Sequence, residues 1–184
     1  MAIHSPGFDF ATMADLTFHN GSQSLTDHLL LAIFWEETLF NNIKQPNGAA
    51  LGFGQVEPAE LRNKNATGEI SVDISRILLD PAASVDASGQ MLDALVSKLG
   101  KIGALRGYAG VNYKPDPSWR AARLGIIDRW LHCEMALLNI DSDIQNVSDD
   151  PDRAVAALQK AKIFAPDSPT DKGMSWREAL FPSD

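Results

Sequence analysis

A chain of 184 residues, 45% hydrophobic and without a low-complexity run or internal repeat, can bury one sizeable core and reads as a single domain over residues 1–184. Its 24 acidic and 16 basic residues give a net charge of −8 and a pI near 4.9, which argues against nucleic acid or an anionic membrane surface as the main partner. Cys133 is the sole cysteine, and His4, His19, His28 and His132 lack ligand spacing, so neither an internal disulfide, a metal nor a cofactor is expected.

The start, Met1-Ala2-Ile3-His4-Ser5-Pro6, has neither a basic n-region nor an apolar h-region, so no general secretory signal is expected. No apolar run is long enough to span a membrane. Ser24-Leu25-Thr26-Asp27 reads as a capping box that opens a helix, with Leu29, Leu30, Ile33 and Phe34 recurring on its buried face. At about 100° per residue, Glu37 projects near the middle of that stripe and Glu36 roughly a right angle away. A carboxylate on a buried face loses hydration and, unless a cation pairs with it, holds a proton near neutral pH, as a general acid must. A helix ending before Glu37 would instead leave it solvated in the C-terminal turn. His28, nine positions away, reads as a surface or satisfied histidine.

Next come Gly48, Gly52 and Gly54, which permit tight turns and close approach of backbone to ligand, and Gln55, which supplies amide donors and acceptors. No lysine follows to make a phosphate-binding loop. An acid on an apolar helix opposite such a turn points to an enzyme acting on a glycan, with Gln55 and loop backbone gripping sugar amides. Trp35, Trp119, Trp130 and Trp176 read mainly as packing, with Trp35 a candidate for the groove.

The alternation over 68–74 predicts a short extended piece, at most a small hairpin. Helical stripes recur at Leu92, Leu95, Val96 and Leu99, then from Trp119 to Ile140 through Leu124, Ile127, Leu131, Met135 and Leu138. From Asp141 the tone changes. Ser148-Asp149-Asp150-Pro151-Asp152 caps a helix near Arg153 to Ile163, and a tail ends in Trp176 and Phe181, so 141–184 reads as a helical appendage. Asp141, Asp143 and Asp150 lack the glycine and terminal glutamate of a calcium loop.

Glu37-Thr38-Leu39-Phe40-Asn41 resembles the Glu-Ser-x-Phe-Asn signature of bacterial soluble lytic transglycosylases. Ala50-Leu51-Gly52-Phe53-Gly54-Gln55-Val56-Glu57-Pro58 is similar to their Gly-Ala-x-Gly-Leu-Met-Gln-x-x-Pro block. Leu79-Asp80-Pro81 with Val85-Asp86-Ala87-Ser88 resembles their Asp-Pro turn and helix, and Ala104 to Gly110 resembles Ala-x-x-x-Tyr-Asn-Ala-Gly. The matched stretch runs from about Leu25 to Val111. Thr38 stands in place of serine, Phe53-Gly54 in place of Leu-Met, and Ala109 in place of the asparagine after the tyrosine. Leu51-Gly52-Phe53-Gly54 also resembles the Gly-Phe-Gly run of goose-type lysozymes, which are muramidases that finish with water.

The resemblance implies a mainly α, lysozyme-like domain with at most a small β element, a catalytic core over about 22–140 and the appendage beyond. It implies cleavage of the MurNAc-GlcNAc bond of peptidoglycan, with Glu37 as acid then base closing a 1,6-anhydro ring, and with Gln55, Gly52, Phe53, Gly54 and Tyr108 contacting substrate. Tyr108 would lie against the Glu37 carboxyl. No matched second acid is evident, which favours intramolecular attack, while Glu57 and Asp73 stay open as second acids for a hydrolase. A wall enzyme without a secretory signal implies release by phage lysis or export by a specialised system to periplasm or exterior. The acidic charge fits an anionic wall poorly and suggests a delivery apparatus, carrier or inhibitor protein as partner. A non-catalytic glycan-binding or structural part of a phage tail or secretion apparatus, and a chitin-directed relative, are the other readings.

Overall fold

The computed structural model describes residues 7–8, 10–46 and 48–138. The chain start, the appendage over 141–184 and its aspartates lie outside the described residues. Five helices carry the architecture: α1 (Phe10–Asn20), α2 (Asp27–Thr38), α3 (Pro58–Ala66), α4 (Pro81–Tyr108) and α5 (Pro117–Leu138), with a 3₁₀ turn at Ile74–Arg76. The protein is thus mainly helical. Among the described residues, β structure is confined to the isolated bridges Lys44–Leu51 and Leu51–Val56.

The helix α2 lies at the centre. Every residue from Leu29 to Trp35 is buried, so this is not a one-sided stripe but a core helix, covered by α1 and α5. Its cap differs from the expected one. Thr26, not Ser24, takes the N-cap, its hydroxyl accepting from the Leu29 N–H. Ser24 instead donates its N–H to Asp93 of α4, joining Ser22 and Gln23 in binding that carboxylate.

In α4, the Asp80 carboxylate accepts from Ala82 N–H at 3.0 Å and Pro81 occupies the first turn, where a missing N–H is harmless. Gly100 breaks the helix with φ 70° and ψ 171°, so residues 101–108 form a separate terminal piece that carries Tyr108. Leu92 is buried, whereas Leu99, just before the break, is exposed.

The expected face of α5 is rotated. Ile127, Trp130, Cys133 and Leu137 are the buried apolar positions, while Leu124, Met135 and Leu138 are exposed and Leu131 is half-buried. Apolar residues occur on both faces, and contact with α2 selects the one bearing Trp130. Burial pushes the Cys133 thiol up to about 12, with the Glu36 charge adding to the effect, which leaves it an inert core thiol.

The segment 68–74 forms no strand. Side chains hold it instead: Asn65 brackets Val72 through both backbone groups, and Gln90 accepts from Ser71 N–H at 2.7 Å. Ile70 and Val72 then join Val56, Leu61, Ile77 and Met91 in a second apolar cluster beside the main core.

Candidate functional site

The central helix delivers two glutamates to its last turn and then stops sharply. Leu39 and Phe40 both adopt left-handed backbone, with φ of 52° and 58°, and the Leu39 N–H reaches the Phe34 and Trp35 carbonyls. Asn41 closes the end by donating its amide to the Thr38 carbonyl at 2.9 Å and the Leu39 carbonyl at 3.1 Å. A non-glycine residue in this region costs about 1–2 kcal/mol. Burial of both Leu39 and Phe40 holds the turn in place.

Glu36 and Glu37 are both half-buried, so the expected difference in burial between a mid-stripe Glu37 and an edge Glu36 is not seen; they differ in their partners. Glu36 accepts from Arg129 of α5, with Nε at 2.8 Å. Glu37 is half-buried within the helix, not beyond its end, and lies near enough to Tyr108 for its charge to disfavour ionisation of the phenol.

Thr38, fully buried, joins the helix end to the glycine-rich loop. Its hydroxyl lies 3.0 Å from the Phe34 carbonyl and 3.1 Å from the Phe53 carbonyl. The loop is a tight curl. Leu51 and Val56 exchange two backbone hydrogen bonds at 2.9 Å, closing a turn of four residues, and Gly52 N–H donates to Ile43. Gly52 has φ 79°, and a Cβ there would stand 2.4 Å from Ser84 Oγ. At Gly54 a Cβ would stand 2.3 Å from the Tyr108 hydroxyl and 2.4 Å from Ser88 Oγ.

Tyr108 closes this arrangement from α4. Its hydroxyl donates to the Gly54 carbonyl at 2.7 Å, and its ring meets Trp130 edge-on. Burial pushes the phenol far above its ordinary range; a hydrogen bond with Ser88 opposes that shift and the Glu37 charge adds to it. The phenol therefore keeps its proton, and with it the bond to Gly54, through neutral pH.

Gly54 and Tyr108 are thus brought together within reach of the Glu37 charge, with Gly52 in the same curl. Phe53 is placed elsewhere. Its ring is fully buried against Phe8 and Phe34, and its N–H donates to Ser84 Oγ at 2.9 Å, so its side chain is core and not a sugar contact. Gln55 turns its Nε2 inward to the carbonyls of Gly52 at 2.7 Å and Ile43 at 3.0 Å, a lock on the loop. Trp35 is likewise core, packed on Phe40, and does not line a groove.

The two other acids are set apart by their roles. Glu57 is exposed at the N-cap of α3. Asp73 caps the 3₁₀ turn, where hydrogen bonds from the Ser75 hydroxyl and then its N–H hold the carboxyl below its usual range. Ala109 is buried at the α4 C-cap.

Sequence reasoning missed Ser84 and Ser88 as a pair. Both are fully buried, and Ser88 donates to the Ser84 carbonyl at 3.2 Å. Two serines four apart among Val85, Ala87, Met91 and Leu92 were the available signal, because hydroxyls on a buried face need partners. It also missed Glu134, buried on α5 with Lys101 and the Thr26 hydroxyl as partners. His28 is neither surface nor satisfied: it is half-buried and its Nε2 has no hydrogen-bond partner.

An open cavity of about 540 Å³ lies along α4, lined among others by Asp86, Gln90, Asp93 and Lys98, and includes none of the candidate residues. Its polar groups satisfy one another, Asp86 with Gln90, Asp93 with the 22–24 turn, and Lys98 with Glu69. It is a polar crevice between elements, and Glu37 is not among its lining residues. No residue grouping fit to hold a metal occurs among the described residues, and no helix there is long and apolar enough to cross a membrane. Compared with known proteins, the chain matches no family model, no curated protein and no solved structure.

Proposed function

We propose that this protein is a peptidoglycan lytic transglycosylase with a lysozyme-like catalytic core over about 22–140. One observation carries the reading: Glu37, half-buried at the end of a core helix, has its charge within reach of a phenol that is itself clamped to the glycine-rich loop at Gly54. Strained backbone supports it. The non-glycine residues with left-handed φ among the described residues are Leu39, Phe40 and Gln55, all within this segment, and such strain concentrates where a site must be held rigidly.

In this mechanism the Glu37 carboxyl gives its proton to the glycosidic oxygen as the C1–O4 bond breaks and positive charge develops at C1. The MurNAc 6-hydroxyl then attacks C1, and its proton returns to the Glu37 carboxylate, so no water is consumed. Tyr108 is a positioning residue for the carboxyl and for the Gly54 turn. Asp73 is engaged as a cap and Glu57 is solvated, an arrangement that favours intramolecular attack over a two-carboxylate hydrolysis. A muramidase outcome is the alternative if Glu57 activates water. A non-catalytic glycan-binding or structural role is the other alternative, and the feature behind it is Ala109 at the end of α4, in place of the asparagine of the transglycosylase pattern. The site of action is the cell wall, reached by lysis or a specialised export system, with an inhibitor or carrier protein as a further partner.

The test is incubation of wild type and Glu37→Gln with purified peptidoglycan, followed by mass spectrometry of soluble muropeptides. Anhydro ends from wild type alone are expected. Reducing ends would replace this reading by hydrolysis, and no products from either protein would replace it by the binding role.

A further inference from the structure

A corner next to Tyr108 differs in charge from the rest of the protein. Between residues 106 and 123 stand Arg106, Lys114, Arg120 and Arg123 against Asp116 alone, in a chain whose net charge is −8. The acid is already engaged: Asp116 caps α5, accepting from Ser118 N–H and Oγ at 2.8 Å each. Among the described residues Lys114, Arg120 and Arg123 form no ion pair, although the Lys114 charge reaches Asp116.

Two of these cations converge on one indole. Lys114 Nζ lies 4.4 Å and Arg123 Cζ 4.2 Å from the centre of the Trp119 ring, and the ring is fixed by its N–H donating to the Gly110 carbonyl at 2.9 Å. Tyr113 stands beside it, 79% exposed, its ring 6.3 Å from Trp119. The corner is built onto the same helix end that presents Tyr108, since Val111 N–H donates to Arg106 and Tyr113 N–H to Gly110.

An exposed aromatic ring covers the apolar face of a sugar, and uncompensated cations around it accept carboxylates. We infer that the Tyr113–Trp119 corner is a binding site for a glycan strand through its carboxylate-bearing side groups, with Tyr113 against the sugar and Lys114, Arg120 and Arg123 receiving the acids. The inference rests on Glu37 marking the cleavage point and names the substrate class that point receives: an anionic glycan, in preference to neutral chitin. It also accounts for the charge mismatch, because a local basic corner steers an anionic strand to the site while the remaining acidic surface repels misplaced encounters.

The test uses the full-length Glu37→Gln protein, so that binding is read without turnover. Equilibrium binding is measured for muropeptide-bearing glycan fragments, the same fragments with their carboxyls amidated, and neutral chito-oligosaccharides. Tyr113→Ala, which removes the stacking ring, and the pair Lys114→Gln/Arg120→Gln, which removes two cations, all at exposed positions, are each expected to weaken binding of the carboxylated fragments by about tenfold or more. Amidation and added salt should weaken it likewise, and the Lys114→Gln/Arg120→Gln pair should leave binding of neutral oligomers unchanged, whereas Tyr113→Ala weakens both. Carboxylated and amidated fragments binding alike, unchanged binding in the variants, or no glycan binding at all overturns the inference. Corner-dependent binding alongside a wild type that releases no muropeptides would remove the cleavage reading and leave this site standing.

Discussion

Tyr108 donates its hydroxyl to the carbonyl of Gly54 at 2.7 Å, a bond that crosses 54 positions of sequence and ties the short terminal piece of α4 to the glycine-rich loop. The contact needs both residue types. A phenol reaches that far from the helix, and only a residue without Cβ leaves room for it, since any Cβ at position 54 would overlap the hydroxyl and Ser88.

Gly54→Ala should therefore destabilise the protein by about 2 kcal/mol through overpacking, and should lower glycan cleavage further by displacing Tyr108. Gly68→Ala is the control. Its backbone is also left-handed, at φ 72°, but nothing lies within 4 Å of the added methyl, so a backbone strain of about 1 kcal/mol is expected with no change in cleavage. Urea unfolding of both variants beside a muropeptide assay reads the difference. Equal losses of activity would show that the packing at Gly54 does not position the site.

Tyr108→Phe keeps the ring against Trp130 but leaves the Gly54 carbonyl without its donor, at about 1–2 kcal/mol. The phenol's raised pKa fixes the sign of the pH effect. A group that holds its proton more tightly when folded contributes fully below its unfolded value of 10.0, and the contribution is lost as pH rises above that. Wild type should thus lose stability above about pH 10 more steeply than Tyr108→Phe. Below that pH the two proteins should give the same absorbance titration near 295 nm, because Tyr108 remains protonated. A titration step present in wild type and missing from the variant would contradict this.

Much of this architecture was readable in the sequence because local signals and tertiary packing agree. The apolar run from Leu29 to Phe34 marks α2, and Asp80-Pro81 marks the start of α4. What was not readable depends on partners distant in sequence. Phe53 sits within a glycine-rich loop and carries no sign that Phe8 and Phe34 enclose it. Gln55 has the hydrogen-bonding capacity of a ligand contact, yet the carbonyls of Ile43 and Gly52 use it. On α5 the sequence offers several apolar stripes, and only packing against α2 selects Ile127, Trp130, Cys133 and Leu137.

The far end of α2 should control stability in acid. His28 is half-buried and its Nε2 lacks a hydrogen-bond partner, so desolvation lowers its pKa from 6.5 despite the opposing charges of Asp27 and Glu134. The unfolded chain then binds the proton more readily than the folded one. Stability from the neutral imidazole is therefore present above about pH 6.5 and is lost as pH falls below it. Asp27 acts with the opposite sign. Its carboxyl is raised by burial, so it favours the folded state as it protonates at lower pH. His28→Gln, which keeps a polar side chain without a titrating group, should flatten the fall in melting temperature between about pH 7 and 5 and leave the behaviour below that window to Asp27. Thermal unfolding across this range in wild type and variant is the check. Parallel curves would mean that His28 gains its proton in the folded state as easily as in the unfolded chain, through the nearby charge of Glu134.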